Sequence, residues 1–139
     1  MTKTLTPHRI LHTMLRVEDL EKSLHFYCTH LGMKESRREH FPEGGFTLSF
    51  LGYGDEETDT VLELTENSGI NRYEAGSKFG HIALAVKDIF AVCEKLQIEG
   101  ISVARAPGPM KFPSTSGQRD LIAFIEDPDG NQIELIERN

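Results

Sequence analysis

Two histidines and two glutamates recur along this chain in a repeated order. His12 stands five residues before Val17 and seven before Asp19; His81 stands five before Val86 and seven before Asp88. Glu63 follows 51 residues after His12, and Glu134 follows 53 after His81, each between aliphatic side chains. One imidazole nitrogen and one carboxylate oxygen from each half would make a two-His, two-Glu set. Such a set suits a borderline divalent cation rather than a structural thiolate zinc. A lone histidine in a strand is more often a surface or hydrogen-bonded residue, and that is the reading of His8, His25, His30 and His40. A Glu between aliphatics equally suits the solvent side of a half-exposed sheet. What the plainer reading leaves unexplained is that both halves place one at nearly the same distance behind a His. Spacing alone names no reaction.

The elements that must position these residues also repeat. Residues 9–17 read as a strand, Asp19 as a helix cap, and Leu20, Leu24, Tyr27 and Leu31 as a helical stripe stopped by Gly32. A polar exposed strand over 34–40 follows, then the turn Pro42-Glu-Gly-Gly45. Strands over 46–53 and 60–66 complete the half, with an acidic loop over 55–59 between them. After a polar link over 67–78, the order replays. There is a strand over 80–86, a cap at Asp88 and a helical stripe of Ile89, Val92, Cys93 and Leu96 ended by Gly100. Strands over 101–106, 121–126 and 132–137 follow, separated by a Pro/Gly/Ser-rich loop over 107–120 and the turn Asp127-Pro-Asp-Gly130.

Each half is therefore strand, helix, then three strands. The expected class is α+β: a single domain over 1–139 built from two βαβββ modules, about 9–66 and 79–137, with curved mixed sheets. Strand alternation puts His12, Met14 and Arg16 on one face and Leu11, Thr13, Leu15 and Val17 on the other. Glu63, Thr65 and Asn67 likewise oppose Leu62 and Leu64; His81 opposes Ile82, Leu84 and Val86; Glu134 opposes Ile133 and Leu135. All four candidate ligands would thus line the polar, concave side of a sheet. Arg16 and Asn67 share that side and could orient an anionic or peptide-like substrate, but by themselves both are better read as generic surface residues.

Composition narrows the function classes. In 139 residues, 38% hydrophobic and 27% charged content describes a soluble globular chain. A formal charge of −7 argues against a nucleic-acid partner. No stretch approaches the apolar length needed to span a bilayer, and residues 1–11 lack a signal-peptide run. Cys28 and Cys93 sit on apolar helical stripes with no disulfide framework, so buried reduced thiols in a cytoplasmic protein are expected.

Several segments together resemble a known family. Arg9-Ile-Leu-His-Thr-Met-Leu-Arg-Val17, Phe26-Tyr27 with Leu31-Gly-Met33, Phe50-Leu-Gly-Tyr-Gly54, Val61-Leu-Glu-Leu-Thr65, Phe79-Gly-His-Ile-Ala83 and Ala123-Phe-Ile-Glu-Asp-Pro-Asp-Gly130 with Ile133-Glu-Leu135 look like glyoxalase I, the lactoylglutathione lyases of the vicinal oxygen chelate superfamily, in their short bacterial form. The resemblance implies metal ligands at His12, Glu63, His81 and Glu134. It implies Glu134 as the principal proton-transfer base with Glu63 beside it, and Arg16 and Asn67 as contacts to the glutathione part of the substrate. It also implies a homodimer in which one chain brings His12 and Glu63 and its partner His81 and Glu134. Nickel is the first expectation for the metal, with cobalt or zinc as alternatives. The implied reaction isomerises the hemithioacetal of methylglyoxal and glutathione to S-lactoylglutathione by proton transfer through a metal-stabilised enediolate. Three positions depart from the pattern: Ser68 stands where an aromatic Trp is usual, the loop over 110–120 with Lys111 and Arg119 is longer, and Asn131 replaces a Tyr. Other enzymes of the superfamily (a thiol transferase, an epimerase or a dioxygenase) and a metal-free drug-binding protein are the alternatives.

Overall fold

The computed structural model describes residues 5–139, which divide into two compact units between Tyr73 and Glu74. The first unit runs β1 (His12–Arg16), α1 (Leu20–Leu24), β2 (Lys34–Phe41), β3 (Phe46–Gly52) and β4 (Val61–Asn67). The second runs β5 (Ile82–Val86), α2 (Ile89–Ile98), β6 (Val103–Pro109), β7 (Leu121–Glu126) and β8 (Gln132–Glu137). The four-stranded sheets have the same order, β1-β4-β3-β2 and β5-β8-β7-β6. In each, the first strand lies parallel to the last, and the other neighbours are antiparallel. The expected α+β class of two mixed-sheet βαβββ modules is the one observed.

Helix entry uses the same two devices in both units. Asp19 caps α1 by accepting from the Lys22 amide at 3.2 Å, and Asp88 caps α2 by accepting from the Ala91 amide at 3.1 Å. A carboxylate from the last strand adds a second acceptor. Glu66 receives the Leu20 amide at 2.7 Å, and Glu137 receives the Ile89 amide at 3.2 Å. An anion at a helix N-terminus satisfies an orphan donor and meets the positive end of the helix dipole. Each helix start is thereby tied to the strand that carries the repeated Glu of its unit, Glu63 or Glu134.

The core of the first unit is Leu15, Val17, Leu20, Leu24, Phe26, Tyr27, Leu51, Leu62 and Leu64; that of the second is Ile89, Cys93, Leu96, Ile125, Ile133 and Leu135. Among the described residues no helix is long and apolar enough to cross a membrane. Both cysteines are free; Cys93 is buried as expected, but Cys28 only half so, and burial pushes both thiols above their ordinary pKa.

Four local expectations are corrected. The helical stripe after Asp19 does not stay α-helical: residues His25–His30 form a π-helical turn, in which the Leu31 amide reaches back to the Phe26 carbonyl at 3.1 Å. The widened turn rotates the stripe, so Phe26 joins Tyr27 in the core while Leu31 is left half-buried. Leu11 and Thr13 do not join the buried row but lie exposed: β1 is an edge strand whose one buried residue is Leu15, with Val17 buried just beyond its end. The strand expected from residue 80 starts at Ile82, placing His81 just before it. Strand β6 runs on through Pro107 and Pro109, where a loop was expected. An edge strand tolerates proline, whose missing N–H faces away from the ladder. Arg105 reinforces the run by donating to the carbonyls of Gly108 and Pro109 at 2.9 and 2.7 Å.

One buried polar contact fixes the outer hairpin of the first unit. Ser49 is fully buried, and its hydroxyl donates to Glu35 at 2.6 Å; Arg38 donates to the same carboxylate at 2.8 and 3.1 Å. The Arg38 hydrogen bond holds the Glu35 carboxyl below its ordinary range against the opposing effect of burial, with Ser49 assisting. This stabilisation is complete above the unfolded carboxyl value and is lost as pH falls through the lowered folded one. Glu35→Ala should cost about 1–3 kcal/mol at neutral pH, because the Ser49 hydroxyl is left buried without its acceptor. Adding Ser49→Ala should recover part of the loss in urea denaturation; an additive further loss would show that the hydroxyl is not the penalised group.

Candidate metal centre

In the first unit His12 opens the edge strand β1, opposite Val61 on β4, and Glu63 lies two residues further along that partner strand, opposite Met14. Two residues are one pleat repeat, so both side chains emerge on the same face. The His12 Nε2 and a Glu63 carboxylate oxygen stand 2.6 Å apart, with side chains 37% and 12% exposed. Leu62 and Leu64 point the other way into the core and lock the register. Thr65 donates its hydroxyl to the second Glu63 oxygen at 3.4 Å, further restraining the carboxylate.

The second unit builds the same pair independently. His81 precedes β5, and Glu134 sits on β8 opposite Ala83, again two residues past the level of its histidine. Nε2 of His81 is 3.0 Å from Glu134, with side chains 40% and 14% exposed. Ile133 and Leu135 are buried on the opposite face. The structure thus brings together His12 with Glu63 and His81 with Glu134, at distances that sequence spacing cannot supply.

Each pair also has an aromatic wall that the sequence reading missed. Phe50 lies opposite Glu63 in the β3–β4 register and meets the His12 ring edge-on at 5.6 Å. Phe124 lies opposite Glu134 in the β7–β8 register and meets His81 at 5.3 Å. One strand further out, Arg37 is opposite Phe50 and Arg105 opposite Phe124, each just after a β-bulge. An Arg–Phe–Glu row therefore crosses three strands in both units. Its members are separated by hairpins of unequal length, so no fixed spacing announces them. In the first unit Glu56 anchors the row through Arg37, whose hydrogen bond holds the Glu56 carboxyl below its ordinary range.

The donor chemistry fits a divalent cation. Two ligands about 2.1 Å from one ion and at right angles are about 3.0 Å apart, near the separation within each pair. Neutral imidazole nitrogen and carboxylate oxygen are the donors that nickel, cobalt and zinc share. Neither cysteine belongs to a pair. Among the described residues no group of three or more such donors comes together, so each unit presents two.

Arg16 ends β1, exposed and opposite Thr65. Asn67 ends β4 and donates from its amide to the Tyr73 hydroxyl at 3.0 Å. Lys111 and Arg119 are both exposed on the loop over 110–120. Of the departures from pattern, Ser68 is exposed, and its amide donates to the Gly45 carbonyl at 2.8 Å. Asn131 has a clear structural use: its amide side chain donates to Asp127 at 2.9 Å.

Comparison with known proteins bears on the fold and the family. The family model described as the Glyoxalase/Bleomycin resistance protein/Dioxygenase superfamily matches residues 9–135. The lactoylglutathione lyase of Neisseria meningitidis serogroup A is 54% identical over 130 residues, covering 94% of this chain and 91% of its own. That of Escherichia coli O157:H7 is 50% identical over 129 residues, covering 93% and 92%. Among solved structures, a glyoxalase I mutant from Zea mays superposes with a TM-score of 0.86 at 40% identity. The match covers 94% of this chain, which spans 44% of the longer maize one. The trypanothione-dependent glyoxalase I of Leishmania major gives 0.79 at 40% identity, covering 94% and 87%.

The Asp127 turn sets where β8, and hence Glu134, begins. Its nearly buried carboxylate accepts from the Asp129 and Asn131 amides at 2.9 and 2.8 Å besides the Asn131 side chain. Asp127→Ala should destabilise the protein by about 1–3 kcal/mol in chemical denaturation, since three part-buried donors lose one shared acceptor. An unchanged midpoint would mean that backbone bonds alone hold the turn.

Proposed function

The chain belongs to the glyoxalase I family of the vicinal oxygen chelate superfamily, and on that footing we propose that it isomerises the hemithioacetal of methylglyoxal and glutathione to S-lactoylglutathione. The observation that carries this reading is the duplicated His–Glu pair, built at the same place in two separate sheets. His12, Glu63, His81 and Glu134 would hold one divalent cation per site, nickel by preference and otherwise cobalt or zinc. Since each unit presents one nitrogen and one oxygen, a homodimer would complete the set, His12 and Glu63 from one copy meeting His81 and Glu134 of the other. When bound, the cation supplies positive charge beside the substrate oxygens and so lowers the cost of removing a carbon-bound proton.

Glu134 is the proposed base. Its carboxylate takes the proton from the thiol-bearing carbon, and the electron pair left behind spreads onto the neighbouring carbonyl oxygen as an enediolate. The adjacent carbon is then reprotonated and the hydroxyl proton of the first carbon passes to the oxygen of the second, so one C–H and one O–H bond break, one of each forms, and no outside oxidant is needed. Glu63 stands beside the same two carbons. A carboxylate only 14% exposed, held within 3.0 Å of an imidazole, is oriented before substrate arrives and needs little reorganisation. Arg16 and Asn67 would receive the glutathione portion; on a chain of net charge −7, such local cationic and amide groups must overcome a repulsive background for an anionic ligand. Free, partly or fully buried cysteines suit the cytoplasmic location also proposed.

The direct test is ultraviolet detection of thioester formation from methylglyoxal and glutathione with nickel or zinc supplied; no rate with either metal would refute the assignment. Glu134→Gln should retain bound metal yet lower kcat by about 10²–10⁴-fold, the usual worth of a positioned base. Near-normal turnover in that metal-loaded variant would remove Glu134 from the role. His12→Ala should reduce nickel stoichiometry in the purified protein, and full occupancy by metal analysis would count against His12 as a ligand.

A further inference from the structure

We infer that Arg37 is a positioning residue for His12, acting through the ring of Phe50. The inference rests on the proposed role of His12 as a metal ligand. His12 begins an edge strand and its side chain is 37% exposed, so its ring is restrained on few sides. Glu63 fixes the Nε2 end at 2.6 Å, and the Phe50 ring, inclined at 75°, walls the imidazole at 5.6 Å between centroids. Phe50 is itself nearly buried, and the Arg37 guanidinium carbon lies 3.8 Å from its ring centroid. That distance is a close cation–π stack, in which the flat guanidinium covers the ring face.

Arg37 is not a loose surface cation. Glu56 grips it from the loop between β3 and β4, with Nε at 3.2 and 3.0 Å and Nη2 at 2.9 Å from the carboxylate; Glu39 pairs with its other terminal nitrogen. That loop is in turn tied to the segment before β1, where Arg9 donates to the carbonyls of Glu56 and Glu57 at 3.1 and 3.0 Å. Loop, guanidinium, phenyl ring and imidazole therefore form a contiguous series ending at the ligand nitrogen.

The second unit shows what the same position does when it is used otherwise. Arg105 occupies the register place of Arg37, but its guanidinium donates to the carbonyls of Ala106, Gly108, Pro109 and Ile122 at 2.7–3.2 Å. It secures the backbone of β6 and its neighbour. Only in the first unit is the cation placed over the aromatic wall and held there by a carboxylate. Releasing that cation frees the Phe50 ring and widens the range of imidazole orientations. The fraction of apo-protein with His12 ready to bind then falls, and apparent metal affinity falls in proportion.

The experiment titrates the apo-protein with nickel in competition with a chelator and records its Tm. Arg37→Met should weaken nickel binding about tenfold, the low end for residues that orient a ligand, while Tm shifts little because Arg37 is half-exposed on an edge strand. Phe50→Leu should weaken binding similarly, and the double variant no more than Phe50→Leu alone, since the two act in series. Wild-type affinity in Arg37→Met, or losses that multiply in the double variant, would overturn the inference. If Arg37→Met folds poorly, Glu56→Gln releases the anchor without removing the guanidinium; a smaller loss of affinity supports the series, and none refutes it. A wild-type chain that takes up no nickel, cobalt or zinc would instead sink the metal-site reading itself, and this inference with it.

Discussion

The parallel pairing of the first strand of each unit with its last is the constraint from which the rest follows. It joins segments that lie far apart in the chain, so the residues between must form a crossover: a helix, then an antiparallel hairpin that returns the chain beside its start. Once β1 lies against β4 with His12 opposite Val61, Glu63 can only emerge on the same face, one pleat away. The second unit obeys the same rule with His81 and Glu134. A slip of one residue would turn the carboxylate into the core and its leucine or isoleucine neighbours into water. Hydrophobic burial and the meeting of each His with its Glu thus select the same register, and neither can change alone.

Around that pairing, polar residues do a second kind of positioning. Glu66 and Glu137, three residues past each candidate ligand, receive the first amides of the helices. The strand that presents a donor on one side therefore also fixes the helix that covers its other side. The Arg–Phe–Glu rows extend the restraint outward, and the β-bulges just before Arg37 and Arg105 aim those side chains. The result is a pair of exposed imidazoles whose carboxylate partners are largely sheltered, an arrangement that combines access with preorganisation.

Much of this was legible from residues 9–17, 61–65, 80–88 and 132–135 because strand alternation and aliphatic flanks leave a regular trace. Asp19 and Asp88 marked both helix starts correctly, for the simple reason that capping is local. The π-helical turn was not legible: Leu20, Leu24, Tyr27 and Leu31 fit an α-helical stripe, and only packing reveals that Phe26 takes a place in the core. Pro107 and Pro109 suggested a loop, yet an edge strand with carbonyls gathered by Arg105 accommodates them. Phe50, Phe124 and Arg37 carried no signal either, since they join the site across strands.

By itself the sequence determined the duplicated module, the face on which each His and Glu stands, and the family to which the chain belongs, because periodicity and local motifs are written in neighbouring residues. Tertiary structure decided that His12 meets Glu63 and His81 meets Glu134 within hydrogen-bonding distance, and which rings and cations brace the first of them. Those contacts depend on register between segments tens of residues apart, where hairpin length, bulges and packing against the core are settled together, and no linear spacing encodes the outcome.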